Sequence, residues 1–133
     1  MAGEEYVQPV YYRDARGMEP VYEFCRAQQP AARAKLDNQI ERLRMQRVNG
    51  PPLPFPLTSQ VDGELRELRC QLGKTKYRVL YRRFGRLVVL LHIVEKHAER
   101  LDEGAIRVAQ ARWVDAMSRA EALGREAPWR VDL

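Results

Sequence analysis

Glu67, Arg78, Lys96 and His97 are the side chains of this sequence best suited to chemistry at a phosphate. Cutting an RNA phosphodiester through its own 2′-OH asks little of a protein. A base takes the hydroxyl proton, cations stabilise the phosphorane, and an acid protonates the leaving 5′ oxygen. Arg78 lies mid-way along the run KYRVLYRR, where it reads as a partly exposed strand arginine. Glu67 and Arg69 lie in the preceding LRELRCQL, and Lys96 and His97 just past the following RLVVLLHIVE. Alternation puts Arg78, Leu80 and Arg82 on one side of their strand, opposite Tyr77, Val79 and Tyr81. It puts Glu67 and Arg69 together, opposite Arg66, Leu68 and Cys70. If Arg78, Arg69 and the Lys96–His97 strand end converge, they surround one phosphodiester with basic groups. Phosphate binding without chemistry is the alternative that the same residues allow.

The charge pattern points the same way. Segment 66–86 carries Arg66, Arg69, Lys74, Lys76, Arg78, Arg82, Arg83 and Arg86 against the single acid Glu67, more than the whole chain's net charge of +5. Together with a pI near 9.5 this suggests a polyanionic partner. Arg66, Arg69, Lys74, Lys76, Arg82 and Arg83 are the expected RNA-binding residues. The 133 residues and 45% hydrophobic content suit one domain with one core. Cys25 and Cys70 sit in apolar periodic segments and read as reduced core residues of a cytoplasmic protein. His92, inside an apolar strand, reads as a satisfied or partly buried histidine. Neither histidine has acids at ligand spacing, so no metal and no cofactor are expected. The absence of GxxxxGK[ST], GxGxxG and GxSxG leaves nucleotide hydrolysis, dinucleotide chemistry and serine hydrolysis without support. The N-terminus shows no signal pattern, and the aliphatic run 87–91 is too short to span a bilayer.

The positioning elements follow from periodicity. Residues 6–12 predict a first strand, which Pro9 pushes toward a sheet edge. A short helix is predicted at 21–27 and a second at 31–48, ended by Asn49-Gly50, forming an αα-hairpin on a sheet. PPLPFPL at 51–57 predicts a rigid connector. The three strands follow, with a tight turn at Gly85 and a looser one at Gly73. A last helix begins after an Asp102 N-cap and runs to about residue 123, with Ile106, Ala109, Trp113 and Met117 as its core face. The order is β-α-α-β-β-β-α, an α+β domain over 1–123, with 124–133 a loosely ordered tail whose Trp129 can dock on the rest of the chain.

The run ELRELR, then YRVLYRR, then LVVLLHIVEKH, between two helices and a closing helix, resembles the RelE/HigB toxins of type II toxin–antitoxin modules, the phage-derived HigB-like branch in particular. The resemblance spans residues 20–122. It implies a RelE/ParE-like fold: a small antiparallel-rich sheet with two N-terminal helices and a C-terminal helix. It implies a ribosome-dependent mRNA endonuclease that cuts without metal through 2′-OH attack. Arg78 matches the family's strand arginine at the scissile phosphate, and His97, with Lys96 beside it, the residue assisting the leaving group. The lysines that RelE carries on the preceding strand fall on Leu65 and Glu67, so that Glu67, Arg69 or His97 would have to substitute. The implied partners are the ribosome, mRNA and a helix-turn-helix antitoxin, which alone contacts operator DNA. The competing readings are a gyrase-binding toxin like ParE and a decayed domain that binds RNA or its partner without cutting.

Overall fold

The computed structural model describes residues 5–131. Its elements run β1 (Gln8–Tyr12), α1 (Pro20–Arg26), α2 (Pro30–Arg42), β2 (Thr58–Asp62), β3 (Leu65–Leu72), β4 (Thr75–Phe84), β5 (Leu87–Glu95), α3 (Glu103–Ser118) and β6 (Trp129–Val131). The fold is α+β, as expected, with three helices on a six-stranded mixed sheet of order β2-β3-β4-β5-β1-β6. Only β1 and β5 run parallel among these pairs.

Both sheet faces are covered. Val21, Cys25, Leu36, Ile40 and Leu43 of the helical hairpin pack on Leu68, Val79, Tyr81, Val88 and Leu90. On the other face, Ala105, Ala109 and Ala116 of α3 pack on Val10, Leu65, Leu80, Val89 and Leu91. This explains the unbroken apolar run of β5, since a strand covered on both sides needs no polar alternation.

Several expectations are corrected. Two strands, β2 and β6, were not anticipated. β2 is polar and short, yet its turn carries the same signal as the next two hairpins. Gly63, Gly73 and Gly85 each take positive φ at the first position of a two-residue loop, so the Gly73 turn is as tight as the others. β6 converts the supposed loose tail into an edge strand, held by Arg130 between the buried Glu19 carboxylate (3.3 Å) and the Tyr22 ring (4.2 Å). It displaces β1 from the edge. Gln8 turns its N–H to β5 (2.9 Å to Arg86 O), so Pro9 faces the opposite side, where the described pairing with β6 begins only at Val10. The missing proline N–H thus interrupts no described bond.

The second helix ends at Arg42 rather than near Val48, with one tighter turn at Leu43–Met45. Gln46 leaves the helix because its carbonyl accepts the Val7 N–H (2.9 Å), and the Val48 N–H bonds Glu5 O (2.9 Å). These bonds tie the hairpin exit to the chain entering β1. Finally, the stripe of α3 that faces the sheet is Ala105, Ala109, Arg112 and Ala116 rather than the larger residues. Three alanines let helix and sheet approach closely, while Ile106, Trp113 and Met117 flank the contact and are only partly buried. Asp102 stands at the N-cap position but makes no capping side-chain bond.

Trp113 fills the seam between α3 and the β4 end, with Phe84 edge-on at 6.3 Å and the Arg82 guanidinium over its ring at 4.4 Å. Trp113→Ala should therefore cost roughly 2–3 kcal/mol, less than the ~3–5 kcal/mol of a fully enclosed aromatic. Urea melts of the two proteins measure this directly. An unchanged midpoint would show that the seam contributes nothing to stability.

Candidate active site

Arg78 and Arg69 face each other across β3 and β4, and Glu67 lies one step along on the same side. Arg78 is 3% exposed, which corrects the expectation of a partly exposed arginine. Its Nε sits 3.1 Å from Glu67 Oε1, and its Nη1 donates to Tyr77 O at 3.0 Å. The strand centre leaves no other course: a guanidinium between two layers must meet an acceptor on the sheet. Burial, then the neighbouring Arg69 cation, holds the Arg78 pKa below its ordinary value, against the pull of Glu67.

Lys96 completes the cluster from the end of β5, where its N–H bonds Lys76 O at 2.8 Å. Burial and then the Arg78 charge push the Lys96 amine below the usual lysine range. Arg69 and Lys76 act in the same direction and Glu67 opposes them. Arg69, Lys74, Lys76, Arg78, Lys96 and His97 line one cleft of about 740 Å³.

A bulge brings Lys96 there. Leu80 pairs with His92 but Tyr81 pairs with Leu90, so Leu91 is an extra residue in β5. Leu91 and His92 therefore both face α3, and Val94 and Lys96 follow His92 onto that face. His97 sits on the other side, with Glu95: its Nε2 is 3.7 Å from Glu95 Oε2, and its side chain is 81% exposed on the cleft rim.

The expected RNA-binding residues divide. Arg69, Lys74 and Lys76 join the cleft. Arg66 and Arg83 do not, because they lie on the helical-hairpin side: Arg66 donates to Thr58 Oγ1 at 2.9 Å and Arg83 to Val48 O at 2.9 Å. Arg82 is held by Glu64 at 2.7 Å and by Trp113, so it serves the α3 seam. Among the described residues no group of three His, Cys, Asp or Glu side chains could hold a metal ion. No helix among these residues is long and apolar enough to cross a membrane.

The fold and cleft now have a counterpart in sequence. The family model described as Phage derived protein Gp49-like (DUF891) matches residues 23–114, from within α1 to within α3. The chain belongs to this Gp49-like family. It is a HigB/RelE-like toxin family, associated with toxin–antitoxin toxins, and membership implies an antitoxin partner. No curated protein matches the chain. Glu67, Arg69, Arg78, Lys96 and His97 all lie within the span that marks this Gp49-like protein.

Sequence reasoning missed one polar pair. Arg112 of α3 reaches Leu91 O (2.9 Å) and His92 Nδ1 (3.0 Å), using the two residues that the bulge turns toward it. Burial, then the Arg112 charge, pushes the His92 pKa down from 6.5 to about 4. The unfolded chain therefore binds this proton more readily. The neutral ring costs nothing above pH 6.5, and stability is lost as pH falls from 6.5 toward 4. At pH 5 the loss should reach about 2 kcal/mol. In melts between pH 7 and pH 5, His92→Gln should remove that part of the acid sensitivity. An unchanged pH dependence would discharge His92.

Proposed function

We propose that this Gp49-like protein is a type II toxin that cuts mRNA on the ribosome, and that a helix-turn-helix antitoxin neutralises it. The observation that carries the reading is the open cleft that Arg69, Lys76, Arg78 and Lys96 line together with the acid Glu99 at its margin, Arg78 being held from behind by the buried Glu67. Four cations along one cleft suit a phosphorane with two charged oxygens. Arg78 is preorganised for this by Glu67 and Tyr77 O, so it needs no reorientation as charge develops.

The chemistry is 2′-OH attack on the adjacent phosphorus. The 2′ oxygen–phosphorus bond forms, the 5′ oxygen–phosphorus bond breaks, and a cyclic phosphate and a 5′-OH result. Lys96 donates the proton to the leaving 5′ oxygen. A lowered pKa makes its ammonium a stronger acid than an ordinary lysine's. His97 takes the 2′-OH proton from the rim, with Glu95 beside its ring.

Induced expression with primer-extension mapping of mRNA 5′ ends tests the reading, alongside purified protein given naked RNA or programmed ribosomes. New ends are expected inside translated frames and in the ribosome-containing reaction. Growth arrest with intact mRNA would overturn the proposal.

A further inference from the structure

The proline-rich connector remains without a role in this scheme, and it carries an exposed aromatic ring, Phe55, next to Arg69 of the cleft. Phe55 is 68% exposed. One face is engaged: the Arg69 guanidinium lies 5.0 Å from the ring centroid. Arg69 also lines the cleft that holds Lys96 and Arg78, so ring and phosphate cluster share a residue.

The connector holds the ring in place. The Leu57 N–H bonds Pro54 O at 3.1 Å across the Phe55 turn, and the Arg69 N–H bonds Leu57 O at 2.9 Å. Thr58 Oγ1 donates to Leu53 O, and Leu53 and Leu57 pack on the core. Four prolines in seven residues remove most of the remaining backbone freedom. Such bracing preorganises a ring that makes no core contact of its own.

The surroundings select a partner. Beside Arg69 the cleft continues around the β3 edge, about 420 Å³, to Lys35 and Arg42 of α2. Gln39 fixes that corner, accepting from Arg42 at 3.2 Å and donating to Arg69 O at 3.0 Å. The track thus runs from Lys96 and Arg78, past Arg69, to Arg42 and Lys35. A polyanion follows such a track, and a chain carrying flat apolar groups between its phosphates also matches Phe55.

We propose that Phe55 is a stacking platform for one unpaired base of the RNA, beside the scissile phosphate, with Lys35 and Arg42 neutralising phosphates farther along the strand. This assignment rests on the RNA-cleaving reading and adds that the substrate is bound single-stranded. A paired base cannot offer its face to the ring.

The test is fluorescence anisotropy with a labelled 2′-O-methyl oligonucleotide, whose blocked 2′ oxygen prevents cleavage, compared with the duplex of the same sequence. The wild-type protein should favour the single strand. Phe55→Ala should bind it roughly 5- to 150-fold more weakly, the equivalent of about 1–3 kcal/mol for one stacked base. Phe55→Trp should keep or improve the affinity, and neither change should move the melting temperature. Wild-type affinity in Phe55→Ala, or equal binding of duplex and single strand, would overturn the platform and leave the cleavage reading standing. Failure of the wild-type protein to bind any single strand would likewise overturn the platform, while the cleavage reading, which places the RNA on the ribosome, would stand or fall by the primer-extension result alone.

Discussion

Arg78→Ala should destabilise this protein by about 3–5 kcal/mol, because it leaves the Glu67 carboxylate buried without its cation. Had Arg78 been exposed, the same substitution would have cost activity alone. Glu67→Ala in the same chain should restore much of the loss, since no unpaired charge then remains. Urea melts of the two single variants and the double variant isolate the coupling. Activity needs a gentler change. Arg78→Lys keeps the charge but not the planar fork, so it cannot hold Glu67 and a phosphate oxygen together. Ribosome-programmed cleavage by a folded Arg78→Lys protein should fall about 10²–10³-fold, as for loss of one preorganised donor. A full rate would remove the guanidinium from the mechanism, and an Arg78→Ala protein as stable as wild type would show the ion pair to be dispensable.

Lys96→Met should lower single-turnover cleavage by about 10²–10⁴, the range for an acid or base in the transition state. Methionine keeps the apolar stem and removes only the ammonium, so the fold should survive. The pH profile carries the sharper prediction. An acid with a lowered pKa loses its proton at lower pH than an ordinary lysine. The alkaline limb of the rate should therefore lie below the ordinary lysine value of 10.5, and Lys96→Met should abolish that limb. Lys76→Gln removes one of the cations pressing on Lys96 and should shift the limb to higher pH. His97→Gln, which removes the proposed proton acceptor, should lower the single-turnover rate by an amount in the same range. A Lys96→Met protein with an unchanged alkaline limb would eliminate Lys96 as the acid. A wild-type rate in His97→Gln would eliminate the imidazole as the base.

What could be read from residues alone was local or periodic. LRELRCQL became Leu65–Leu72 without adjustment, and Gly85 marked the turn between β4 and β5, because alternation and turn chemistry are properties of a few neighbouring residues. Thr58–Asp62 was passed over although Gly63 carried the same turn signal, since its polar face lies at the sheet margin, where burial imposes no pattern. Trp129–Val131 was passed over because three residues hold no period. The strand exists through Arg130 and Glu19, which are 111 residues apart.

The candidate site divides along the same line. That Glu67, Arg69 and Arg78 share one face of adjoining strands follows from the residues alone, since each strand alternates and tight turns fix the strand order. That Lys96 joins them does not follow in this way. Counted by twos from Val88 and Leu90, Lys96 belongs on the helical-hairpin face. One extra residue at Leu91 reverses that count, and Arg112, which lies 21 residues further on, bonds both residues at the bulge. The side on which the lysine emerges therefore depends on α3 packing against the finished sheet, a contact that no local run of residues encodes.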